Sequence, residues 1–208
     1  MRKALFALML ILCIPSTLLL ANEIRFRGGS TRMQMQEGYQ NIALSGGAEI
    51  TSGTLTLTAD SIELSGKEFR YVSCNGSVTL NDEERGVKLV GTNLFYDREE
   101  ELVVVDGYLE LEDLTNEVQA TAFFLEFSLD EGSVLLQVQV RLYKHTDSGV
   151  MACKADSLRL EREKRTLELG GSATIDWAGD RYEAERITVD LDTEQISMEG
   201  TIKGVING

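Results

Sequence analysis

The stretch Leu57-Thr58-Ala59-Asp60-Ser61-Ile62-Glu63-Leu64 (LTADSIEL) is nearly rewritten as Cys153-Lys154-Ala155-Asp156-Ser157-Leu158-Arg159-Leu160 (CKADSLRL), with the two Ala-Asp-Ser triplets starting 96 residues apart. Three periods of 32 would place echoes between them. Gly91-Thr92-Asn93-Leu94-Phe95-Tyr96 stands 32 residues after Ala59, and Ala122-Phe123-Phe124-Leu125-Glu126-Phe127 follows 31 later. Ala184-Glu185-Arg186-Ile187-Thr188-Val189 comes 29 residues after Ala155. Each is a small residue followed by apolar positions at strand spacing, and a fixed period of this size marks a repeat architecture.

A second landmark runs out of phase with the first. Gly47-Ala48-Glu49-Ile50, Gly76-Ser77-Val78-Thr79-Leu80, Gly107-Tyr108-Leu109-Glu110-Leu111, Gly171-Ser172-Ala173-Thr174-Ile175 and Gly200-Thr201-Ile202 are spaced by 29, 31, 64 and 29 residues. The double step hides a member at Gln139-Val140-Arg141-Leu142, where the glycine is lost. Two landmarks per unit mean two strands per unit. Alternation supports this, with Leu55 and Leu57 set against Thr54, Thr56 and Thr58. Period-2 alternation gives one dry face and one wet face.

Polar turns separate the strands at Asn81–Gly86, Asp97–Glu101, Asp130–Gly132 and Asp192–Glu194, and no capped amphipathic helix appears after residue 30. The chain is therefore read as all-β. A period of about 30 residues suits two strands and two turns, stacked at about 4.8 Å per strand. The predicted architecture is a folded-over pair of sheets whose dry faces meet, an elongated jelly roll of stacked two-strand repeats with no closed barrel.

The N-terminus reads as a secretory signal: Met1-Arg2-Lys3, an apolar run from Ala4 to Leu12, Pro15, then Leu18-Leu19-Leu20-Ala21. Residues 1–21 are assigned to the signal peptide, with cleavage after Ala21, and 22–208 to one domain. A retained membrane anchor is the alternative, and a lipoprotein signal at Cys13 is disfavoured by bulky Leu12. All three place the remainder outside the cytosol. Removing Arg2 and Lys3 leaves 18 basic against 34 acidic residues, a net charge of −16. Nucleic acid is thereby excluded as a partner. Cys74 and Cys153 are expected to be free, half-buried thiols, about 10 Å apart along the stack by strand spacing and beyond disulfide reach.

The repeated phrases resemble a known family. Leu44-Ser45-Gly46-Gly47-Ala48-Glu49-Ile50, followed by Leu55-Thr56-Leu57-Thr58-Ala59-Asp60-Ser61-Ile62-Glu63-Leu64, is similar to the G-x-V-x-I … L-x-I-x-A-D-x-I pattern of the OstA-like (LptA) family. The resemblance runs from about Ile24 to Ile206 and recurs in every unit. It implies a half-open β-jelly roll in the periplasm. Lipopolysaccharide or a related glycolipid would be carried from inner to outer membrane with its acyl chains between the sheets. It further implies jelly-roll partners joined by edge-strand pairing and head-to-tail homo-oligomers. An LptC-like anchored subunit corresponds to an uncleaved signal, and a purely structural envelope module is the alternative function.

The lipid-groove candidates are the alternating apolar residues Leu55, Leu57, Ile62, Leu64, Val78, Leu80, Leu109, Leu111, Leu158, Leu160, Ile175, Trp177, Ile187 and Val189. Ordinary sandwich core is an equally good reading of each one singly. Arg25, Arg27 and Arg32 are the local basic excess near the start, placed either to meet headgroup phosphates or to flank an edge strand. No catalytic residues, metal ligands or cofactor are expected. His145 stands alone in a polar turn (Lys144-His145-Thr146-Asp147) and is read as a surface histidine, and Asp60 and Asp156, which share a repeat position, are read as turn or strand-end hydrogen-bonding groups. The carboxylate alternative, a glycosidase-like pair, lacks matching residues in the other units, which carry Thr92, Phe123 and Glu185 there.

Overall fold

The computed structural model describes residues 23–36 and 39–207. The expected signal peptide and its boundary at Ala21 lie outside the described residues. The chain forms β1 (Ile24–Arg27), β2 (Ser30–Gln36), β3 (Tyr39–Ser52), β4 (Leu55–Ser65), β5 (Tyr71–Asp82), β6 (Val87–Asp97) and β7 (Leu102–Asp113). It continues as β8 (Val118–Ser128), β9 (Ser133–Thr146), β10 (Gly149–Glu161), β11 (Thr166–Trp177), β12 (Asp180–Asp190), β13 (Ile196–Glu199) and β14 (Lys203–Val205). A 3₁₀ turn at Lys67–Phe69 is the one helical element among the described residues.

From β3 to β12 the sheet is an uninterrupted antiparallel meander, each strand bonded to the one before and the one after. β1 and β2 both pair with β3, and β13 and β14 both pair with β12. The path never returns on itself, so the fold is all-β and is not a closed barrel. One continuous sheet of 14 strands, folded over on itself, supplies the two facing layers of the expected jelly roll. The reason lies at mid-strand.

Nearly every pairing slips register there, between Ser45 and Ala48, Thr58 and Ser61, Asn75 and Val78, and onward to Gly170 and Ala173. A line of bulges thus crosses the sheet, and bulges bend strands. In even-numbered strands the buried residues step by three across this line, from Ala59 to Ile62, Ala122 to Leu125, Ala155 to Leu158 and Ala184 to Ile187. In a flat strand that step would turn the second half outward; with the bend, both halves bury the same face. In odd-numbered strands the step is four, across residues of positive φ: Gly46 and Gly47 (+77°, +79°), Gly76 and Ser77 (+73°, +48°), Gly107 (+100°), Gly171 and Ser172 (+73°, +49°).

The two sequence landmarks are the two sides of one contact on this fold line. A Cβ placed on Gly76 would stand 2.2 Å from Asp60 Oδ2, and one on Gly171 would stand 2.5 Å from Asp156 Oδ2. Thr92 covers Gly107 and Glu185 covers Gly200 in the same way, at 2.7 and 2.6 Å. The Ala-Asp phrase recurs because Ala faces the core while Asp folds over the next strand's glycine. Asp60 and Asp156 are therefore mid-strand corner residues rather than turn or strand-end groups. At the degenerate unit the glycine is gone but the backbone is kept, with Val138 at φ +66° and Gln139 at +55°.

Folding along this line gives two walls that share one apolar interior. The first wall ends in the β3–β4, β5–β6, β7–β8, β9–β10 and β11–β12 turns, the second in the intervening turns. Asp82, Asp97 and Asp113, 2, 7 and 5% exposed, close three of these turns by accepting backbone N–H groups two or three residues on. Such Asx geometry is what polar turn residues supply.

β13 and β14 lie on either side of Gly200 at the fold line and both pair with β12. One further expectation is corrected. Cys74 and Cys153 are free as expected, but 1 and 2% exposed rather than half-buried, since both face inward. They stand on β5 and β10, and five strand steps separate them by roughly 24 Å along the sheet.

Candidate functional site

Bending each strand brings the two rows of turns face to face, forming a mouth along the roll. Polar contacts span it. Arg85 Nη2 on the first wall approaches Glu101 Oε2 on the second at 4.0 Å, Asp113 Oδ2 meets Arg162 Nε at 3.3 Å, and Ser148 Oγ donates to Glu194 Oε2 at 3.0 Å.

Toward the N-terminal end the walls part into a cleft of about 370 Å³. Its floor is aliphatic, with Ile24, Ile50, Leu55 and Leu57 from the first wall and Leu64, Val72 and Leu129 from the second. Leu57 and Leu64 belong to one strand and reach opposite walls because the fold line passes between them. Tyr96 stands beside the floor, its hydroxyl's pKa pushed up chiefly by burial and secondarily by the Glu101 charge.

The rim carries both signs: Asp82, Glu84 and Glu101 with Arg85 and Arg98. Arg85 donates to Asp82 Oδ2 at 2.9 Å, and this hydrogen bond is the main cause of its raised pKa. Arg98 Nη1 donates to the carbonyls of Glu68 and Phe69 at 2.9 and 3.2 Å. Farther along, the mouth widens again over a polar surface that includes Lys144, His145, Arg165, Asp192 and Glu194. Burial, aided by the neighbouring Arg165 charge, lowers the Lys144 pKa, and its Nζ donates to the Asn116 carbonyl at 2.7 Å.

Of the fourteen apolar candidates, Leu55, Leu57 and Leu64 line the cleft. Val78, Leu80, Leu109, Leu111, Ile175 and Trp177 lie on the first wall, and Ile62, Leu158, Leu160, Ile187 and Val189 on the second, all packed into the interior. Arg25 and Arg27 stand on β1 with exposed guanidiniums, paired with Glu23 at 2.9 Å and Glu49 at 2.6 Å, and Arg32 is exposed on β2. None of the three lines the cleft. Arg85 and Arg98 at the rim were missed by sequence reasoning, because nothing in a turn's composition shows which opposite turn it will face. His145 is exposed at the end of β9. No cluster of metal-ligating side chains occurs among the described residues, and no helix there is long and apolar enough to cross a membrane.

No protein-family profile matches the chain, and no curated protein matches it. Among solved structures the chain is similar to LptH from Pseudomonas aeruginosa, described as the LptA homologous periplasmic component of the conserved lipopolysaccharide transport device. The two share 13% identity over 90% of this chain and 96% of that one, with a TM-score of 0.28. At that identity and score the likeness carries no argument about function.

Proposed function

We propose that the protein is a non-catalytic lipid carrier of the cell envelope. It would act in the periplasm, conveying lipopolysaccharide or a related glycolipid between the inner and outer membranes with acyl chain held between the walls. The observation that carries this reading is the cleft, the place where the two inner faces part and half-buried Ile24 and Leu55 from one wall and Leu129 from the other meet open space. Burying acyl carbons there contributes about 0.8 kcal/mol per CH₂ before ordering costs, without demanding a specific polar partner. The resemblance of the repeated phrases to the OstA-like family supports the same reading. The partners it implies are further jelly-roll subunits, because among the described residues β1 with β2 and β13 with β14 leave an edge free at each end of the sheet, and free edges pair with other chains. Contacts of this head-to-tail kind propagate rather than close.

The packed interior favours one competing reading. Thirteen of the fourteen candidates belong to the packed core here, Leu57 and Leu64 included at 2 and 1% exposure, and Leu55 alone is half-buried, as a purely structural module would require. Native mass spectrometry with lipid extraction, on protein purified from its own envelope, separates the two. Bound glycolipid that disappears in Leu55→Asp, a change at the half-buried leucine of the cleft, supports the carrier. Lipid-free protein that still assembles end to end supports the module.

A further inference from the structure

The cleft and the bridge beside it differ in what they admit. A cavity of about 150 Å³ accommodates the six carbons of benzene. By that scale the 370 Å³ cleft has room for roughly fifteen carbons, which is one acyl tail and not two. A second tail needs the walls to move apart. Farther along the mouth they are joined by Asp113 and Arg162, whose side chains are only 6 and 18% exposed.

This joint is anchored on both sides. Asp113 is fixed by its own turn, accepting from Asn116 N at 3.0 Å and from Asn116 Nδ2 at 2.8 Å. Arg162 belongs to the opposite wall, where its backbone N–H donates to the Gly132 carbonyl at 3.1 Å. Its side-chain stem lies over Gly132, where an added Cβ would be 3.5 Å from Arg162 Cβ. Parting the walls strips a carboxylate and a guanidinium of each other in a half-dry place, where an unpaired charge is costly.

We propose that the cleft takes a single acyl tail and that the Asp113–Arg162 bridge is the bar that keeps a second tail out. The inference rests on the carrier reading and specifies its substrate: a one-tailed amphiphile occupies the resting roll, and a multi-tailed lipid enters only when the bridge opens. The rim, where two arginines face three carboxylates, balances charge closely enough that a zwitterionic headgroup suits it.

The test holds headgroup and tail length constant. Lauroyl lysophosphatidylcholine and dilauroyl phosphatidylcholine are each delivered from cyclodextrin to the folded protein, and occupancy is read by native mass spectrometry. Wild type is expected to take the one-tailed lipid at one per chain and the two-tailed lipid roughly tenfold more weakly or worse. Arg162→Gln and Asp113→Asn, each checked for folding by Trp177 fluorescence, are expected to narrow that ratio. Asp113→Asn keeps an oxygen for the turn, so at least one variant retains the local structure. Equal binding of both lipids by wild type would overturn the one-tail inference while leaving the carrier reading intact. A ratio unmoved in both variants would remove the bridge from the account. Binding of neither lipid would overturn the one-tail inference, and lipid extraction from the envelope-purified protein would decide the carrier reading separately.

Discussion

Replacing Gly76 by alanine tests the fold line directly. Gly76 has φ +73°, and a Cβ there would lie 2.2, 2.9 and 3.0 Å from Oδ2, Cγ and Cβ of Asp60. Holding alanine in the left-handed region costs about 1–2 kcal/mol. Displacing a packed neighbour adds about 1–3 kcal/mol. The lower entropy of alanine in the unfolded chain returns about 0.4–1 kcal/mol. The net expectation is a loss of about 2–3 kcal/mol, read as a midpoint shift on the order of 1 M in urea. Trp177, the only tryptophan, is buried and serves as the fluorescent probe. Asp60→Ala removes the two shortest contacts, so Gly76→Ala should cost less in that background, with a coupling of about 1–2 kcal/mol. A Gly76→Ala change within 0.5 kcal/mol of wild type, about the scatter of an ordinary surface substitution, would refute the argument. So would strict additivity with Asp60→Ala.

At the degenerate corner the sign reverses. Val138 is β-branched, exposed and at φ +66°, so Val138→Gly should raise stability by about 0.5–1 kcal/mol, the left-handed penalty less the entropy of glycine, in the same urea assay. Asp97 is held below the usual carboxylate range, first by the hydrogen bond from Arg70 and then by the backbone N–H groups of Glu100 and Glu99. A depressed carboxylate adds stability that is fully present above the unfolded pKa of about 3.9 and is lost as pH falls through the folded value. Arg70→Ala should therefore move the acid-unfolding midpoint to higher pH, followed by circular dichroism; an unmoved midpoint would remove the pair from the acid-stability account. Burial pushes the Cys74 and Cys153 thiols up to about 12, so iodoacetamide at pH 8 should leave both unlabelled in the folded protein and label both in urea.

Much of the fold was legible in the residues because a two-strand unit writes its pattern locally. Alternation gave the strands, the polar runs at Asn81–Gly86 and Asp97–Glu101 gave the turns, and a small residue before an apolar run, with a glycine out of phase in all but one unit, marked the repeat. What those phrases do was not legible. Asp60 and Gly76 are sixteen positions apart, and only the bend places one over the other. The same bend hid the single sheet, since a strand that folds at a bulge shows the same alternation as two strands in separate sheets. The cleft was half visible. Leu55, Leu57 and Leu64 were named for their alternation, but the same alternation named Leu109 and Ile175, which are simply packed. Separating groove from core depends on where two walls diverge, which the spacing of apolar residues along one strand does not record.

The meander has a consequence for how the chain is made. Each strand from β4 to β12 finds its first partner in the strand immediately before it. A chain emerging N-terminus first, from a ribosome or through a membrane pore, can therefore lay down structure as it arrives, each new strand pairing on the one already in place. No segment waits for a partner at the far end, so a stalled intermediate presents one growing edge rather than a scatter of unmatched strands. Local closure of this kind favours fast assembly in β-proteins, which are otherwise slowed by distant pairings. It also gives length a natural unit. Adding or deleting about 30 residues would extend or shorten the roll by two strand spacings, about 10 Å, while every existing strand keeps its neighbours.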